Sequence, residues 1–356
     1  MRQRVRFCTA ADGVHIAFAE AGEGPPLVRV ANWFTHLELD WDSPVWRHWI
    51  DALSDRRTLI RYDPRGAGLS DRNINDVPMD RWIADLEAVI DAVGLTRFSL
   101  IGLSQGGAVA AAYAARHRER VSRLILHGSY AFGAYAPGVN NRLVREFQTM
   151  SQMIKVGWGK EGSAFREFFA NLLVPGAGRE AHRWVGEMER RSASAQNAHL
   201  LFDAFNRFDV RDEATGIAAP TLVFHSRKDR LVPFEAGRHF ASLIPNARFV
   251  PLESINHILL PDEDAWTMFR GELNDFLIPE ADCVRSCGTA LGSLTAREAE
   301  ILDGIARGYS NREVADLLRI SDKTVRNNVT IILSKLGVTS RAQAIVTARD
   351  AGFGRN

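Results

Sequence analysis

Cysteine is scarce in this chain of 356 residues, which holds only Cys8, Cys283 and Cys287. Three thiols are too few, and odd in number, for the disulfide framework of a small secreted domain. Cys283 and Cys287 have no neighbouring histidine or third cysteine to complete a metal site, so neither a metal nor another cofactor is expected, a redox role being the alternative. This shortage favours a cytoplasmic protein over a secreted one.

Long apolar runs are also missing. No stretch reaches the roughly 18–20 consecutive apolar residues that span a bilayer. The first residues, MRQRVRFCTAADG, carry positive charge, but no apolar segment of the kind found in secretory signals follows them. We therefore expect no membrane partner and a cytoplasmic location.

A charge excess of either sign is missing from the chain as a whole, whose net charge is +1. The distribution is nevertheless uneven. Residues 294–356 hold ten Lys or Arg against seven Asp or Glu, whereas the rest of the chain holds 34 against 36. A local basic excess suits a small module that binds a polyanion.

The length of the chain exceeds what a single hydrophobic core usually supports, so two domains are expected.

What the chain does have is a regular alternation of strand and helix patterns. Apolar runs such as RTLIRYD, RFSLIG, RLILHG and TLVFHS are typical of strands buried on both faces, and helical patterns separate most of them. This alternation predicts an α/β fold with a largely parallel sheet. Residues 130–215 interrupt it with many aromatic residues and no strand pattern, which indicates a helical insertion. Its rings form a core of their own or, in part, face a cavity for a hydrophobic ligand.

The stretch GLSQGG at 102–107 lies between a predicted strand and a predicted helix. Its serine, Ser104, is either a nucleophile or a small residue in a tight turn. A nucleophilic serine requires a base oriented by a third group, and glycines on both sides leave room for the sharp turn that exposes it. Asp229 follows the strand TLVFHS and His257 follows ARFVPLE, in the chain order that such a set requires. Either residue taken alone is equally suited to a turn, but together they predict a catalytic triad.

With this set and the segment RYDPRGAGLSD, residues 5–278 resemble the α/β-hydrolase superfamily with an inserted helical cap. The resemblance implies that RYDPRGAGLSD has a structural role beside the serine. It also implies that backbone N–H groups of Trp33 and Gln105 form the oxyanion hole. The family often has His-Gly before the first of these donors, whereas this chain has Ala31 and Asn32.

In the last sixty residues the sequence predicts four helices with recognisable caps. Thr295 with Glu298 forms a capping box, and Ser310, Ser321 and Ser340 precede the next three helices. A short helix, a tight turn and a longer helix with polar residues in its first turns is typical of a helix-turn-helix, which places the second helix in the DNA major groove. A helical docking or dimerisation module is the alternative.

The motifs LTARE, SNREVA, KTVRNNV and KLGV resemble the LuxR-type DNA-binding domain over its full length, although Asn328 stands where that family usually has histidine. By this resemblance the residues facing the groove or its walls are Lys323, Thr324, Arg326, Asn327 and Asn328. The residues expected at phosphates are Ser310, Asn311, Lys335 and Arg341.

The sequence thus predicts an α/β-hydrolase domain at 1–279 with a cap at about 130–215, a linker at 280–293 and a small all-α DNA-binding domain at 294–356. The favoured interpretation is a transcription regulator, a homodimer on double-stranded DNA, whose hydrolase domain binds a small hydrophobic ester, lactone or acyl derivative. Whether it also cleaves that ligand is left open. The alternative is a serine hydrolase with a vestigial or accessory DNA-binding tail.

Overall fold

The computed structural model describes residues 2–160, 164–277, 294–318, 320–336, 338, 340–350 and 353–354. The chain divides into two compact units, Met1–Phe276 and Leu277–Asn356. The predicted linker at 280–293 lies outside the described residues, and so do Cys283 and Cys287. Its boundaries therefore stay a prediction.

The first unit is built on an eight-stranded sheet in the order β1-β2-β4-β3-β5-β6-β7-β8. The strands are β1 (Arg4–Thr9), β2 (His15–Ala21), β3 (Pro26–Arg29), β4 (Thr58–Tyr62), β5 (Phe98–Leu103), β6 (Val121–His127), β7 (Thr221–Ser226) and β8 (Ala247–Leu252). β2 pairs antiparallel with β1 and β4, and all the other pairs are parallel. The predicted parallel sheet is thus present, and the carboxyl ends of β5 to β8 lie along one edge.

β1 is a strand that the sequence patterns did not indicate. Its sequence, RVRFCT, is mostly exposed because β1 is an edge strand paired only with β2. The central strands, by contrast, are buried on both faces, as β7 is along its whole length. Continuous apolar runs identify such central strands, whereas an edge strand with alternating charge has no comparable signal.

Helices cover the sheet and form the insertion. Those of the first unit are α1 (Leu37–Trp41), α2 (Arg47–Ser54), α3 (Met79–Val93), α4 (Gly106–Arg116), α5 (Asn141–Gly157), α6 (Ala164–Leu173), α7 (Arg179–Ser192), α8 (Ala195–Asn206), α9 (Arg211–Thr215), α10 (Phe234–Leu243) and α11 (Asp264–Leu277). α3 ends at Gly94, which adopts the left-handed conformation that glycine commonly takes at the end of a helix. Among the described residues, no helix has the length and apolar character needed to cross a membrane.

The insertion between β6 and β7 is helical, as its lack of strand patterns predicts. Helices α5 to α9 form it, and we call them the cap. Its rings pack largely in a common core, since Trp158, Phe169, Phe202 and Phe205 are each at least nine-tenths buried. One ring in this cluster, Trp33, comes from the loop after β3. The aromatic residues of the insertion therefore join it to the sheet.

The second unit consists, where described, of four helices: α12 (Ala296–Ala306), α13 (Asn311–Leu318), α14 (Asp322–Leu336) and α15 (Arg341–Asp350). The predicted capping box is present, with Thr295 accepting from the Glu298 N–H and the Glu298 carboxylate accepting from the Thr295 N–H. Apolar residues spaced along the helices, such as Ile301, Val314 and Val325, form a buried core of their own. The second unit thus has its own hydrophobic core.

Candidate active site and nucleic-acid interface

Ser104 stands on the sharp turn between β5 and α4. It has a φ of 54°, a left-handed conformation that non-glycine residues rarely adopt and that commonly marks a functional position. A Cβ at Gly102 would lie 2.6 Å from the Cα of Gly107, and one at Gly106 would lie 3.0 Å from the carbonyl oxygen of Ala31. Glycine at 102 thus allows the strand and helix to approach closely, and Gly106 relieves a tight contact. Ser104 is held partly exposed at the end of β5.

Asp229 and His257 are joined by a hydrogen bond of 2.7 Å between Oδ2 and Nδ1. Asp229 lies just past β7 and His257 just past β8, so the fold brings together two residues that are 28 positions apart. The side chain of Asp229 is completely buried and that of His257 is 4% exposed. This bond orients the imidazole and leaves Nε2 available to the cavity.

The carboxylate of Asp229 is stabilised in its charged form. Burial acts to raise its pKa, but the charge and hydrogen bond of His257 and the N–H of Val232 outweigh burial, so the pKa lies below its usual value. Its other oxygen, Oδ1, accepts the backbone N–H groups of Leu231 at 2.8 Å and Val232 at 3.0 Å. Asp229 is therefore suited to stabilise an imidazolium that forms at His257.

The loop that carries His257 is held from two sides. The backbone N–H groups of His257 and Ile258 both donate to the carbonyl oxygen of Leu173, at the end of α6, at 2.9 and 3.0 Å. On the other side, Gly128 has a φ of 58°, and a Cβ there would lie 2.8 Å from Cε1 of His257. The sequence patterns did not identify Leu173 or Gly128; the only signal for Gly128 was its position after β6.

Ser104 and His257 line the same cavity, together with Trp33 and Gln105. Among the described residues, no direct hydrogen bond joins the side chains of Ser104 and His257. Such bonds are often long in unliganded hydrolytic sites and shorten when substrate binds. All five residues expected to take part in catalysis are therefore brought together, four at the cavity and Asp229 behind His257.

The two expected oxyanion donors belong to residues that line the cavity. Gln105 immediately precedes α4, where a helix N-terminus favours negative charge. Trp33 lies in the loop after β3, and the preceding residue, Asn32, accepts a hydrogen bond from Arg29 at 2.7 Å. In the described chain, neither the Trp33 nor the Gln105 backbone N–H has a hydrogen-bond acceptor. Both groups are thus available to a developing oxyanion.

The segment RYDPRGAGLSD forms a loop arranged around the buried carboxylate of Asp63. That carboxylate accepts from the hydroxyl of Thr35 at 2.7 Å and from the N–H groups of Leu37 at 3.1 Å and Leu69 at 2.9 Å. A Cβ at Gly68 would collide with it. These contacts fit the structural role expected for this segment.

In the second unit, the residues expected at phosphates fall into two groups. Arg341, at the start of α15, donates to Oδ1 of Asn311 at 2.6 Å, and Ser310 caps α13, with the Glu313 N–H 3.3 Å from its Oγ. These three lie close together. Lys335, by contrast, has its Nζ 2.6 Å from the capping carboxylate of Glu298. A phosphate at Lys335 would have to compete with that ion pair.

The first turns of α14 present the side chains expected at the groove. Lys323, Thr324, Arg326 and Asn327 are exposed. The polar contacts here are local: Arg326 pairs with Asp322 at 2.7 Å, and Asn328 donates to the carbonyl oxygen of Thr324 at 2.8 Å. This surface is accessible to DNA.

Two family models match the chain, one in each of its two parts. The family model for the alpha/beta hydrolase fold matches residues 36–264. The chain belongs to the alpha/beta hydrolase family. A second model, for bacterial regulatory proteins of the luxR family, matches residues 292–348. The protein therefore joins an alpha/beta hydrolase domain to a LuxR-type DNA-binding domain.

Individual relatives match the hydrolase domain. AB hydrolase superfamily protein YisY from Bacillus subtilis is 27% identical over 67% of this chain and 87% of its own length. A non-heme haloperoxidase from Rhodococcus erythropolis is 28% identical over 70% of this chain and 92% of its own length. Among solved structures, an esterase from Exiguobacterium antarcticum matches with a TM-score of 0.65 at 24% identity, covering 77% of this chain and 99% of the esterase. This structural match bears on the fold alone.

Proposed function

We propose that the protein is a DNA-binding transcription regulator whose hydrolase domain binds a small, mostly hydrophobic ester, lactone or acyl derivative and cleaves it through Ser104. The observation that carries this proposal is the hydrogen bond between Asp229 and His257 beside Ser104 on its strained turn. A partly exposed hydroxyl and an oriented imidazole at one cavity, with a buried carboxylate behind the imidazole, are what acyl transfer requires.

The mechanism follows from these positions. Nε2 of His257 removes the proton from Ser104 Oγ as that oxygen attacks the carbonyl carbon, and Asp229 stabilises the resulting imidazolium. The N–H groups of Trp33 and Gln105 donate to the oxyanion. His257 then returns the proton to the leaving alcohol. A water molecule, activated by the same imidazole, releases the acid from Ser104.

The test of turnover uses the full-length protein and short p-nitrophenyl esters. Ser104→Ala is expected to lower the esterase rate by about three orders of magnitude or more, because the nucleophile is lost. The matched control is Ser99→Ala, which changes a partly exposed serine on the same strand. A wild-type rate in Ser104→Ala would refute the nucleophile. A wild type with no rate, but with endogenous ligand retained on purification, would instead indicate a receptor without turnover.

The DNA-binding part of the proposal rests on the exposed start of α14 and on the group formed by Ser310, Asn311 and Arg341. A module of this size makes few base contacts, so we expect a homodimer on an inverted repeat, in which two half-sites multiply the discrimination. DNA footprinting together with sedimentation of the complex tests this. Protection of a single half-site by a monomer would contradict it.

The alternative, a serine hydrolase with an accessory DNA-binding tail, is favoured by one observation. Two of the cations expected at DNA, Lys335 and Arg326, form ion pairs with Glu298 and Asp322. An electrophoretic mobility assay on a pool of random duplexes separates the two functions. Esterase activity without measurable DNA binding at low salt would support the alternative.

A further inference from the structure

The cavity beside Ser104 is small. Its volume is about 40 Å³, which is enough for a few water molecules. For comparison, an engineered protein cavity that binds benzene has a volume of about 150 Å³. Apart from the residues expected to take part in catalysis, its apolar walls include Trp46, Leu173, Trp184, Val185, Leu231 and Ile258. A group the size of an aromatic ring does not fit between these walls.

One wall of the cavity is held in place by many contacts. The ring of Trp33 is surrounded by five aromatic rings whose centroids lie 5.0 to 5.6 Å away. Its indole N–H donates to the carbonyl oxygen of Ala198 in α8 at 3.1 Å. A buried ring with a satisfied N–H inside such a cluster resists displacement, since every neighbour would have to repack. A longer ligand cannot make room for itself by moving Trp33 alone.

Two walls of the cavity are less constrained than the others. Trp184 on α7 and Leu231 after β7 are both only partly buried, whereas Trp46, Leu173, Val185 and Ile258 are at least nine-tenths buried. Asn32, Phe34 and Ser104 also line the cavity and are partly buried, so its opening borders several residues besides Trp184 and Leu231. A leaving group larger than the cavity would lie outside its walls while the reacting carbonyl reaches Ser104.

We propose that the acyl half of the substrate is short, of the size of acetyl or propionyl, and that Trp184 limits its length. This inference rests on the proposed function, since it names the substrate class of the same site. Ser104 Oγ forms a bond to the acyl carbon as the bond to the alcohol oxygen breaks, and the serine proton leaves with the alcohol. Water then displaces Ser104, so that one ester and one water give one short carboxylic acid and one alcohol.

The experiment varies the acyl chain and keeps the leaving group constant. The full-length protein is given p-nitrophenyl acetate, butyrate and octanoate, with Ser104→Ala as the measure of the background. We expect kcat/KM to be at least about tenfold higher for acetate than for octanoate, because overpacking a small cavity is costly. An octanoate rate equal to or above the acetate rate would overturn the inference and leave the proposed function intact. The absence of any Ser104-dependent rate would overturn both the inference and the proposed cleavage through Ser104.

Trp184→Ala tests the wall directly. Removing the indole is expected to raise the octanoate-to-acetate ratio of kcat/KM by about tenfold, and Leu231→Ala is expected to act in the same direction if Trp184→Ala does not fold. The matched control is Trp41→Ala, a partly buried tryptophan that does not line the cavity, which should leave the ratio unchanged. An unchanged ratio in a folded Trp184→Ala protein would refute the role of Trp184.

Discussion

The candidate active site and the start of α14 differ in how the molecule positions their polar side chains. In the first unit, Asp229 is fully buried and its partner His257 comes from a loop 28 residues away. In α14, Arg326 and Asn328 are bonded to residues four positions away. A site assembled from distant loops is sensitive to any change in packing, whereas an exposed helix face depends mainly on its own sequence. Substitutions at the active site should thus lower the catalytic rate by large factors. Those in α14 should change DNA affinity by smaller factors.

The largest expected effect comes from Asp229→Asn. An amide in this position cannot stabilise an imidazolium and favours the wrong tautomer of His257, so kcat for p-nitrophenyl acetate should fall by about four orders of magnitude. The thermal unfolding midpoint is measured on the same samples. The matched control, Asp212→Asn, changes an exposed aspartate in α9 and should retain the wild-type rate. A loss of less than tenfold in Asp229→Asn would show that this residue does not serve His257.

Gly128→Ala should have the next largest effect. The added methyl group would lie 2.8 Å from Cε1 of His257, and a displacement of about 1 Å at a catalytic group can cost a hundredfold in rate. Gly138→Ala is the matched control, because Gly138 also has a positive φ but has open space around its Cα. Both variants place alanine at a position with a positive φ, which strains the backbone. Only in Gly128→Ala does the added methyl group contact the imidazole of His257. Equal kcat values for the two would refute the positioning role of Gly128.

A smaller effect is expected at the DNA-binding helices. Asn328→Ala should cost roughly 1–3 kcal/mol on a preferred duplex and little on random DNA, so it should lower the ratio of the two affinities. Lys335→Ala should lower the affinity for both duplexes in similar proportion. It should also lower the slope of log affinity against log salt by about one. Salt titrations of both variants on both duplexes measure this.

Lys335 is also expected to stabilise the second unit, and thermal unfolding of the same variant separates this role from DNA binding. It pairs with Glu298 of the capping box, so Lys335→Ala should also lower the unfolding midpoint of the second unit. Lys155→Ala in α5 is the control, since it removes an exposed lysine of the first unit. If Asn328→Ala left the ratio of affinities unchanged, the placement of Asn328 in the groove would be wrong.

A further effect concerns stability and pH. Burial lowers the pKa of His127 to about 3, with the neighbouring His257 and His225 acting in the same direction. In the unfolded chain this pKa is about 6.5, so the stabilising contribution of neutral His127 is present above that pH and is lost as the pH falls towards 3. Urea unfolding of the wild type should therefore show falling stability across this window.

His127→Gln should flatten that dependence, because glutamine keeps a hydrogen-bond donor but does not titrate in this range. The control is His239→Gln, which changes an exposed histidine of α10. This variant should show the same pH dependence of stability as the wild type. An equal slope in all three proteins would show that His127 does not contribute to the acid sensitivity.

Much of the fold was predictable because its signals are local. Continuous apolar runs marked the central strands, the caps at Thr295, Ser310 and Ser321 marked the helices of the second unit, and the glycines around Ser104 marked the turn. Each signal depends on residues within a few positions of one another, as helix caps and tight turns do. β1 had no such signal, because an exposed edge strand is not continuously apolar.

The sequence by itself determined the two families, the order of Ser104, Asp229 and His257, and the local structure around them. Tertiary structure alone decided that Leu173 and Gly128 hold His257 in place, and that Trp33 stands among the rings of the cap. It also decided that the cavity is about 40 Å³ in volume. These features depend on contacts between segments far apart in the chain. Close packing sets the size of a cavity through every wall at once, and no short stretch of sequence contains that information.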